Sequence, residues 1–442
     1  MAATVTFVSE PGGEKRIEVA PGESVMKAAM GAGIPIFHDC GGLARCTTCR
    51  VRVVEGEVAP RGEDEAEIAR MLSFGDDIRL ACQIRPDGDL RVERMMRQEF
   101  RRDRGAEPDP GARSEERQLA VLFCDVNGFT EFAARKMPYD VVHVVNRLFL
   151  RIGDAVLGND GFIDKYLGDG LLALWGIEGG EPRELVLNAV RAALLMQHTV
   201  RELGAHLSSH FAGDLSLRVG IHFGPAIIGR IGHPARQQLT VIGDTVNVAS
   251  RVETQNKELR TNLLVTEECM DQVRDLVIVG DDFKTVLRGH ERPRRLYEIT
   301  GLVQPDPVFL VQRQIYRVMV DGHRFVDRFY RRLFERAPEL RSLFEATSMP
   351  RQHEMFLNQL AWTVRELRNL PSLLENLAEL GARHRAYGVC REHFTPAAAA
   401  LLDALAETLG AEFDVESRAA WTQAIQSLAA AMQAEPRDGN KT

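Results

Sequence analysis

The stretch LAVLFCDVNGFT, residues 119–130, is a hydrophobic run that reaches Asp125 and continues into a glycine and the start of a helix. Such a run predicts a buried strand with a carboxylate at its end. A second carboxylate, Asp169, lies in IDKYLGDG (163–170), where Asp-Gly predicts a tight hairpin turn. Two aspartates on adjacent strand ends can hold a pair of Mg²⁺ ions for in-line attack at phosphorus.

A third motif, GDTVNVASR at residues 243–251, places Asn247 and Arg251 four residues apart. That spacing puts both side chains on one helix face. An arginine over a transferring phosphoryl group stabilises charge that develops in the transition state. The N–H groups that open the helix at 127–130 suit a triphosphate. Each motif alone is weak, since an Asp-Gly pair is usually only a turn and an exposed arginine is usually solvated.

Together, the motifs F-x-D-x-x-x-F-T, K-Y-L-G-D-G and G-D-T-V-N-V-A-S-R resemble class III nucleotidyl cyclases over about residues 116–300. The resemblance implies an α+β, ferredoxin-like catalytic domain. It also implies that Asp125 and Asp169 bind two Mg²⁺ or Mn²⁺ ions. By the same resemblance, Asn247 orients the ribose and Arg251 stabilises the transition state. Arg288 is implied to bind the triphosphate, at a position where the family commonly has lysine.

The choice of nucleotide follows from hydrogen bonding. In the family a lysine and an aspartate or threonine read adenine, and these positions fall on Lys165 and Thr240. Lysine can only donate, which suits N1 of adenine, and a threonine hydroxyl can accept from the exocyclic amine. ATP is therefore the expected substrate, although threonine discriminates less sharply than aspartate. The resemblance implies that the 3′-hydroxyl attacks the α-phosphorus within a homodimer with two identical sites. A degenerate, binding-only homologue is the alternative.

The N-terminal segment carries a cysteine loop with the spacing C-x5-C-x2-C and a distant fourth cysteine. Thiolates suit soft metals, so four can hold either an iron–sulfur cluster or zinc. The loop and the downstream Leu-Ala-Cys-Gln resemble [2Fe–2S] ferredoxins across roughly residues 3–93, which implies an α+β β-grasp fold. A zinc knuckle or unliganded cysteines are the alternatives. The ligands that the resemblance implies are Cys40, Cys46, Cys49 and Cys82.

Two charged stretches near this segment are less specific. The acidic residues 63–67 could dock a basic electron donor such as a ferredoxin reductase, but a solvated helix face is the favoured interpretation. The arginines between 91 and 104 alternate with acidic residues and lack an aromatic stacking platform, which favours an exposed linker helix over a nucleic-acid site.

The C-terminal segment is helical throughout, and one histidine stands out. The apolar stripe of Leu373, Leu377 and Leu380 continues onto His384, and such a neutral imidazole suits axial haem ligation. The segment resembles bacterial haemoglobins and the globin part of flavohaemoglobins. That implies an all-α globin domain with haem b that binds O₂, NO or CO; a haem-free helical domain is the alternative. The implied haem residues are His384 (proximal), Tyr330, Phe344 and Gln352.

One departure from the flavohaemoglobin pattern bears on the chemistry. Phe394 stands where those proteins have a proximal tyrosine, and no flavin- or nicotinamide-binding domain follows. Gas sensing is therefore favoured over NO dioxygenation.

Composition supports a multidomain globular protein. The 442 residues are 45% hydrophobic and 27% charged, and 55 basic against 63 acidic residues give a net charge of −8. That balance argues against a general nucleic-acid or anionic-membrane binder. No apolar run approaches the ~20 residues that cross a bilayer, and the N-terminus lacks signal-peptide features, so a cytoplasmic protein is expected.

The predicted organisation is ferredoxin 1–97, linker 98–117, cyclase 118–300, linker 301–307, globin 308–434 and tail 435–442.

The three segments together predict an adenylate cyclase regulated by an iron–sulfur domain and a haem globin. The main alternative is an electron-transfer oxidoreductase, in which the ferredoxin reduces the globin haem and the cyclase core mainly dimerises. A haem protein for storage or scavenging is a weaker alternative, because the catalytic set is intact.

Overall fold

The computed structural model describes residues 2–8, 13–38, 40–95, 115–134, 136–207, 215–233, 236–344 and 348–433. The chain divides into two compact units, Met1–Glu116 with Ile227–Thr240, and Arg117–Ala226 with Val241–Thr442. Most of the predicted linker 98–117 and the whole tail 435–442 lie outside the described residues. The domain boundaries stay predictions.

The N-terminal segment is a small mixed sheet with two helices. Among its described residues, five strands are hydrogen-bonded in the order β2-β1-β5-β3-β4. The β1–β5 pair is parallel, and the side chains of Val5 and Phe7 on β1 are fully buried. The elements are β1 (Ala3–Val8), β2 (Lys15–Val19), α1 (Val25–Gly31), β3 (Arg50–Glu55), α2 (Glu63–Met71), β4 (Ile78–Leu80) and β5 (Leu90–Arg94).

The middle segment is built on a larger sheet. In the part that the structure describes, its strands follow the order β12-β13-β11-β9-β6-β8-β7, and β10 pairs with β9. The motif strands β6 and β8 are central and buried, as their hydrophobic runs predict. The elements are β6 (Glu115–Asn127), α3 (Phe129–Ala134), α4 (Pro138–Leu157), β7 (Phe162–Leu167), β8 (Gly170–Trp175), α5 (Pro182–Leu207), β9 (Ser216–His233), β10 (Arg236–Ile242), α6 (Asp244–Leu259), β11 (Leu263–Thr266), α7 (Glu267–Val273), β12 (Val277–Thr285) and β13 (Arg294–Leu302).

The C-terminal segment is helical in its described residues, as predicted. Asp306 caps its first helix by accepting a hydrogen bond from the Phe309 N–H, and Pro307 occupies the first helical position. The helices are α8 (Pro307–Val320), α9 (Gly322–Arg336), α10 (Met349–Arg365), α11 (Leu370–Ala386), α12 (Phe394–Leu409) and α13 (Val415–Gln433), with 3-10 helices at Pro338–Phe344, Glu366–Arg368, Arg391–His393 and Gly410–Glu412.

One hydrophobic core connects the middle and C-terminal segments within the second unit. It includes Ile152 of α4 and Trp175 of β8, and it continues through Val311 and Val318 of α8 to Trp421 of α13. Each of these side chains is at most 1% exposed. The helical segment is therefore packed onto the sheet domain rather than tethered beside it.

Two interpretations of charged residues need correction. Arg91 and Arg94 belong to strand β5, not to a linker helix, and Arg94 is buried. The remaining arginines of that run lie outside the described residues. Glu65 is not on a solvated face, because it is 3% exposed and its carboxylate accepts hydrogen bonds from the Arg79 guanidinium and the Leu80 N–H. Among the helices of the described ranges, none is long and apolar enough to span a bilayer.

Candidate active site

The two predicted metal ligands are brought together by strand pairing. Strand β6 pairs with β8 so that Cys124 faces Leu171, and the hairpin between β7 and β8 pairs Leu167 with Gly170. Asp125 follows Cys124 on β6, and Asp169 lies in the hairpin turn. Their carboxyl groups are within hydrogen-bonding contact.

The electrostatics of this pair favour a cation. Desolvation and then the nearby charge of Asp125 raise the pKa of Asp169 above its usual range. Carboxylate oxygens are the ligands that Mg²⁺ and Mn²⁺ take in proteins, so the donor set fits. Among the described residues, no group of three or more His, Cys, Asp or Glu side chains is placed to hold one ion. Metal ions held by such a pair would stabilise charge on the attacking and leaving oxygens of a phosphoryl transfer.

Sequence analysis missed an arginine at this site. The Arg218 Nη2 lies 2.7 Å from the Asp125 Oδ2, and its Nε lies 3.6 Å from the Glu253 Oε1. Burial raises the pKa of Glu253 to about 7. The sequence offers one signal for this residue: Arg218 is the single charged residue in LSLRVGIHFG (215–224). It lies between Leu217 and Val219, which are both buried. Arg218 neutralises Asp125 and links β6 to helix α6.

The predicted base-reading residues lie on different strands. Lys165 is on β7, two residues before the hairpin, and its Nζ is 3.0 Å from the Asp164 Oδ2. The Lys165 side chain is 36% exposed, whereas the Asp164 side chain is fully buried. Thr240 is on β10 and half-buried; it belongs to the first compact unit, whereas Lys165 belongs to the second.

Helix α6 presents the next two predicted residues on one side. Its buried face carries Val248 and Val252, and Asn247, near its N-terminus, is exposed. A methyl group added at Gly289 would lie 3.2 Å from the Arg251 Nη2, so this guanidinium is next to the loop that carries Arg288. The structure thus places Arg251 beside the Arg288 loop, and Asp125 beside Asp169.

The four N-terminal thiols form two pairs. The Cys46 Sγ is 3.2 Å from the Cys40 Sγ, and the Cys49 Sγ is 3.5 Å from the Cys82 Sγ. The hydrogen bond from the Cys49 thiol lowers the pKa of Cys82 to about 6. Gly42 has φ +92°, which lets the loop turn close to Cys82. Two pairs of soft donors fit a binuclear iron–sulfur cluster, with one pair for each iron.

The predicted haem residues lie on four helical elements. Tyr330 on α9 is buried and packs edge-on against Phe344 with ring centroids 5.3 Å apart. Burial raises the pKa of Tyr330, and the nearby Gln352 side chain of α10 opposes that rise. His384 lies near the end of α11, and its Nδ1 is 2.8 Å from the Leu380 carbonyl oxygen. That nitrogen must donate, because a carbonyl only accepts. The Nε2 then keeps the lone pair that ligation of iron requires, so the histidine fits a haem.

Comparison with known families covers all three segments. The model for the adenylate and guanylate cyclase catalytic domain matches residues 112–292, the 2Fe-2S iron-sulfur cluster binding domain matches 9–87, and the globin family matches 327–432. The chain carries a nucleotidyl cyclase catalytic domain between a ferredoxin domain and a globin domain. These domains imply divalent metal ions, an iron–sulfur cluster and haem.

Curated relatives match the cyclase domain. Adenylate cyclase 1 of Rhizobium meliloti (strain 1021) is 30% identical over 195 residues, 44% of this chain and 29% of that protein. Adenylate cyclase of Anabaena cylindrica is 33% identical over 192 residues, 41% of this chain and 37% of that protein. The chain therefore spans about a third of each relative's length.

Solved structures match over the same domain. The adenylyl cyclase CyaB from P. aeruginosa is 24% identical with a TM-score of 0.40, and the match covers 42% of this chain and 96% of that one. The guanylyl cyclase Cya2 is 26% identical with a TM-score of 0.41, and the match covers 43% of this chain and 96% of that one.

Proposed function

We propose that this protein is an adenylate cyclase that converts ATP to 3′,5′-cyclic AMP and pyrophosphate. The observation that carries the proposal is the contact between Asp125 and Asp169 at adjoining strand ends, with Arg218 paired to the first carboxylate. Carboxylates so placed hold two Mg²⁺ or Mn²⁺ ions against a triphosphate.

The residues divide the work of the reaction. The ribose 3′-hydroxyl gives its proton to water and its oxygen forms a bond to the α-phosphorus, while the bond from that phosphorus to the pyrophosphate oxygen breaks and pyrophosphate leaves. Asn247 orients the ribose, Arg251 stabilises the charge that develops on the phosphoryl oxygens, and Arg288 binds the triphosphate. Lys165 donates to N1 of adenine and Thr240 accepts from its amine, which selects ATP over GTP.

The flanking domains make the cyclase a regulated enzyme in this proposal. The ferredoxin domain holds a [2Fe–2S] cluster on Cys40, Cys46, Cys49 and Cys82, and the globin domain holds haem b on His384 and binds O₂, NO or CO beside Tyr330 and Gln352. The enzyme works as a cytoplasmic homodimer with two identical sites. A cluster or haem that regulates the cyclase must favour one state of the active site by about 1–3 kcal/mol.

The test is nucleotide turnover by the full-length protein, purified anaerobically and loaded with cluster and haem. Cyclic AMP and cyclic GMP are measured from ATP and GTP, in the oxidised and the dithionite-reduced protein. We expect cyclic AMP to predominate, Asp125→Asn to lower its rate by at least 100-fold, and Asp281→Asn, at an exposed position on β12, to leave the rate unchanged.

Other outcomes decide against parts of the proposal. Predominant cyclic GMP would assign the chain as a guanylate cyclase. No cyclic nucleotide in either state would make the cyclase domain a dimerising scaffold, and turnover of O₂ or NO with a reductase would then support the oxidoreductase.

A further inference from the structure

The connection between helix α4 and strand β7, residues 158–161, lies at the boundary between the cyclase and globin domains. We call it the α4–β7 loop. Asn159 within it is fully buried, and Asp160 has φ +58°. Strand β7 continues from the loop to Lys165 and then to the hairpin that holds Asp169. A change in the loop therefore acts on the strand that carries Lys165 and leads into the turn with Asp169.

On the cyclase side the loop is fastened to the sheet. The Trp175 Nε1 donates a 2.7 Å hydrogen bond to the Asn159 carbonyl oxygen, and Trp175 is 1% exposed on β8. The Asn159 side-chain amide donates to the Ala155 carbonyl oxygen of α4 at 2.9 Å. Strand β8 pairs with β7, so a shift of the loop must also move the β7–β8 hairpin.

On the globin side two residues hold the loop, and a third holds the helix that precedes it. The Gln312 Nε2 of α8 donates to the Gly158 carbonyl oxygen at 2.7 Å, and the Arg368 Nε donates to the Asn159 Oδ1 at 3.0 Å. The Arg365 Nη1 lies 3.3 Å from the Asp154 Oδ1 of α4. The contact is tight, because a Cβ at Gly158 would lie 3.0 Å from the Gln312 Nε2.

Arg368 is itself held in place. Its Nη2 donates to both carboxylate oxygens of Asp306, at 2.8 and 2.9 Å, and the Arg191 Nη2 of α5 lies 2.8 Å from the same carboxylate. These charge-assisted hydrogen bonds are partly buried, and together with the bond from the Arg368 Nε to Asn159 they fix the orientation of the Arg368 guanidinium.

The globin elements in this contact lead to the haem residues. Arg365 is the last residue of α10, the helix that carries Gln352, and Arg368 ends the 3-10 helix that follows. A rotation or shift of α10 caused by a ligand beside Gln352 would move Arg365 and Arg368 against the α4–β7 loop.

We propose that the α4–β7 loop, held by Gln312 and Arg368, is the element that couples ligand binding in the globin domain to the cyclase site. The proposal rests on the proposed function, since it names how that site is regulated. Linkage requires the coupling to be reciprocal, so nucleotide bound to the cyclase domain also changes ligand binding in the globin domain.

The test compares Arg368→Met with Arg317→Met in the full-length, haem-loaded protein. Both arginines belong to the globin domain and pair with the cyclase domain, but Arg317 contacts Glu202 of α5, at 3.1 Å, and not the loop. Two quantities are measured: the ratio of cyclic AMP rates with and without CO on ferrous haem, and the CO dissociation rate with and without 3′-deoxy-ATP.

For the wild type and Arg317→Met, we expect the rate ratio to differ from one by about fivefold or more, and the ATP analogue to change CO dissociation. For Arg368→Met, both effects should shrink toward one while the haem spectrum is retained. Gln312→Met removes the other hydrogen-bond donor to the loop and should also shrink both effects toward one. It replaces Arg368→Met in the test if that variant fails to fold.

The outcomes separate this inference from the proposed function. If Arg368→Met and Gln312→Met keep both wild-type effects, the inference is wrong and the cyclase stands. The inference is also wrong, and the cyclase assignment also stands, if CO leaves the wild-type rate of cyclic AMP formation unchanged. If no cyclic AMP forms but the analogue changes CO dissociation in the wild type and not in Arg368→Met, the coupling stands and the cyclase assignment fails.

Discussion

At the scale of single residues, the cyclase domain places ionisable groups where burial changes their protonation. His222 on β9 is 5% exposed, and its Nδ1 is 2.8 Å from the Thr266 Oγ1. Desolvation lowers the pKa of His222 to about 4. The carboxylates of Glu268, whose Oε2 is 3.8 Å from the His222 Nδ1, and of Asp244 oppose this lowering of the pKa. Arg294 and His290 lower the pKa further.

Because His222 is buried in its neutral form, we expect the protein to lose stability in mild acid. The unfolded chain protonates the imidazole below about pH 6.5, whereas the folded protein keeps it neutral until about pH 4, so the free energy of unfolding falls as the pH is lowered between those values. From pH 7.5 to pH 5 we expect His222 to contribute about 2 kcal/mol of that loss. In His222→Asn the loss should be smaller by that amount, measured by urea unfolding. The control His323→Asn, at an exposed position, should keep the wild-type slope; equal slopes in all three proteins would contradict the assignment.

At the scale of secondary structure, the approach of Asp125 to Asp169 depends on how closely two strands come together. Gly170 begins β8, opposite the end of β6. A methyl group there would overlap the Cys124 carbonyl oxygen and lie 3.3 Å from the Asp125 Cα. Only glycine therefore allows the pairing that brings Asp125 against Asp169.

Gly170→Ala should consequently damage both stability and activity. Backbone must move to admit the methyl group, which costs about 1–3 kcal/mol and displaces the carboxylates. We expect a lower melting temperature and a loss of cyclic AMP formation of at least tenfold. Gly301→Ala on β13 is the matched control, because its added methyl group meets only the Ile278 Cδ1 at 3.5 Å. Normal activity in Gly170→Ala would mean that the strand spacing does not position the aspartates.

At the scale of the whole molecule, the proposed homodimer divides each active site between two chains. One chain then supplies the metal-binding aspartates, and the other supplies Asn247 and Arg251. Variants of opposite halves should therefore complement each other, whereas variants of the same half should not.

Differently tagged Asp125→Ala and Arg251→Ala proteins, each inactive alone, test this arrangement when they are co-expressed. Random pairing puts half of the dimers in mixed form, each with one intact site, so about a quarter of the wild-type cyclic AMP rate should return. Asp125→Ala with Asp169→Ala should stay inactive, because no mixed dimer then has an intact site. No recovery in the first pair would rule out the shared site.

Much of this protein could be predicted from sequence because its signals are local. The cysteine loop, the Asp-Gly hairpin and the helix bearing His384 each show a recognisable motif within a few residues. Hydrophobic runs such as LAVLF predicted the buried strands correctly, since a strand covered on both faces needs apolar side chains throughout. The roles assigned to the site residues remain predictions.

The tertiary structure decided what lies between distant residues. Arg218 pairs with Asp125 across 93 positions, and Arg368 contacts Asn159 across 209. Glu65 has the composition of an exposed helix face, yet folding buries it against Arg79. The partner in such a pair has no local signature, because the residues around a charged side chain do not show whether water or a buried partner satisfies it. The sequence alone thus determined which three kinds of domain the chain carries, because their motifs are local. Only packing determined which charged residues meet at the site and how the globin domain meets the cyclase domain, because those contacts join residues that are far apart in sequence.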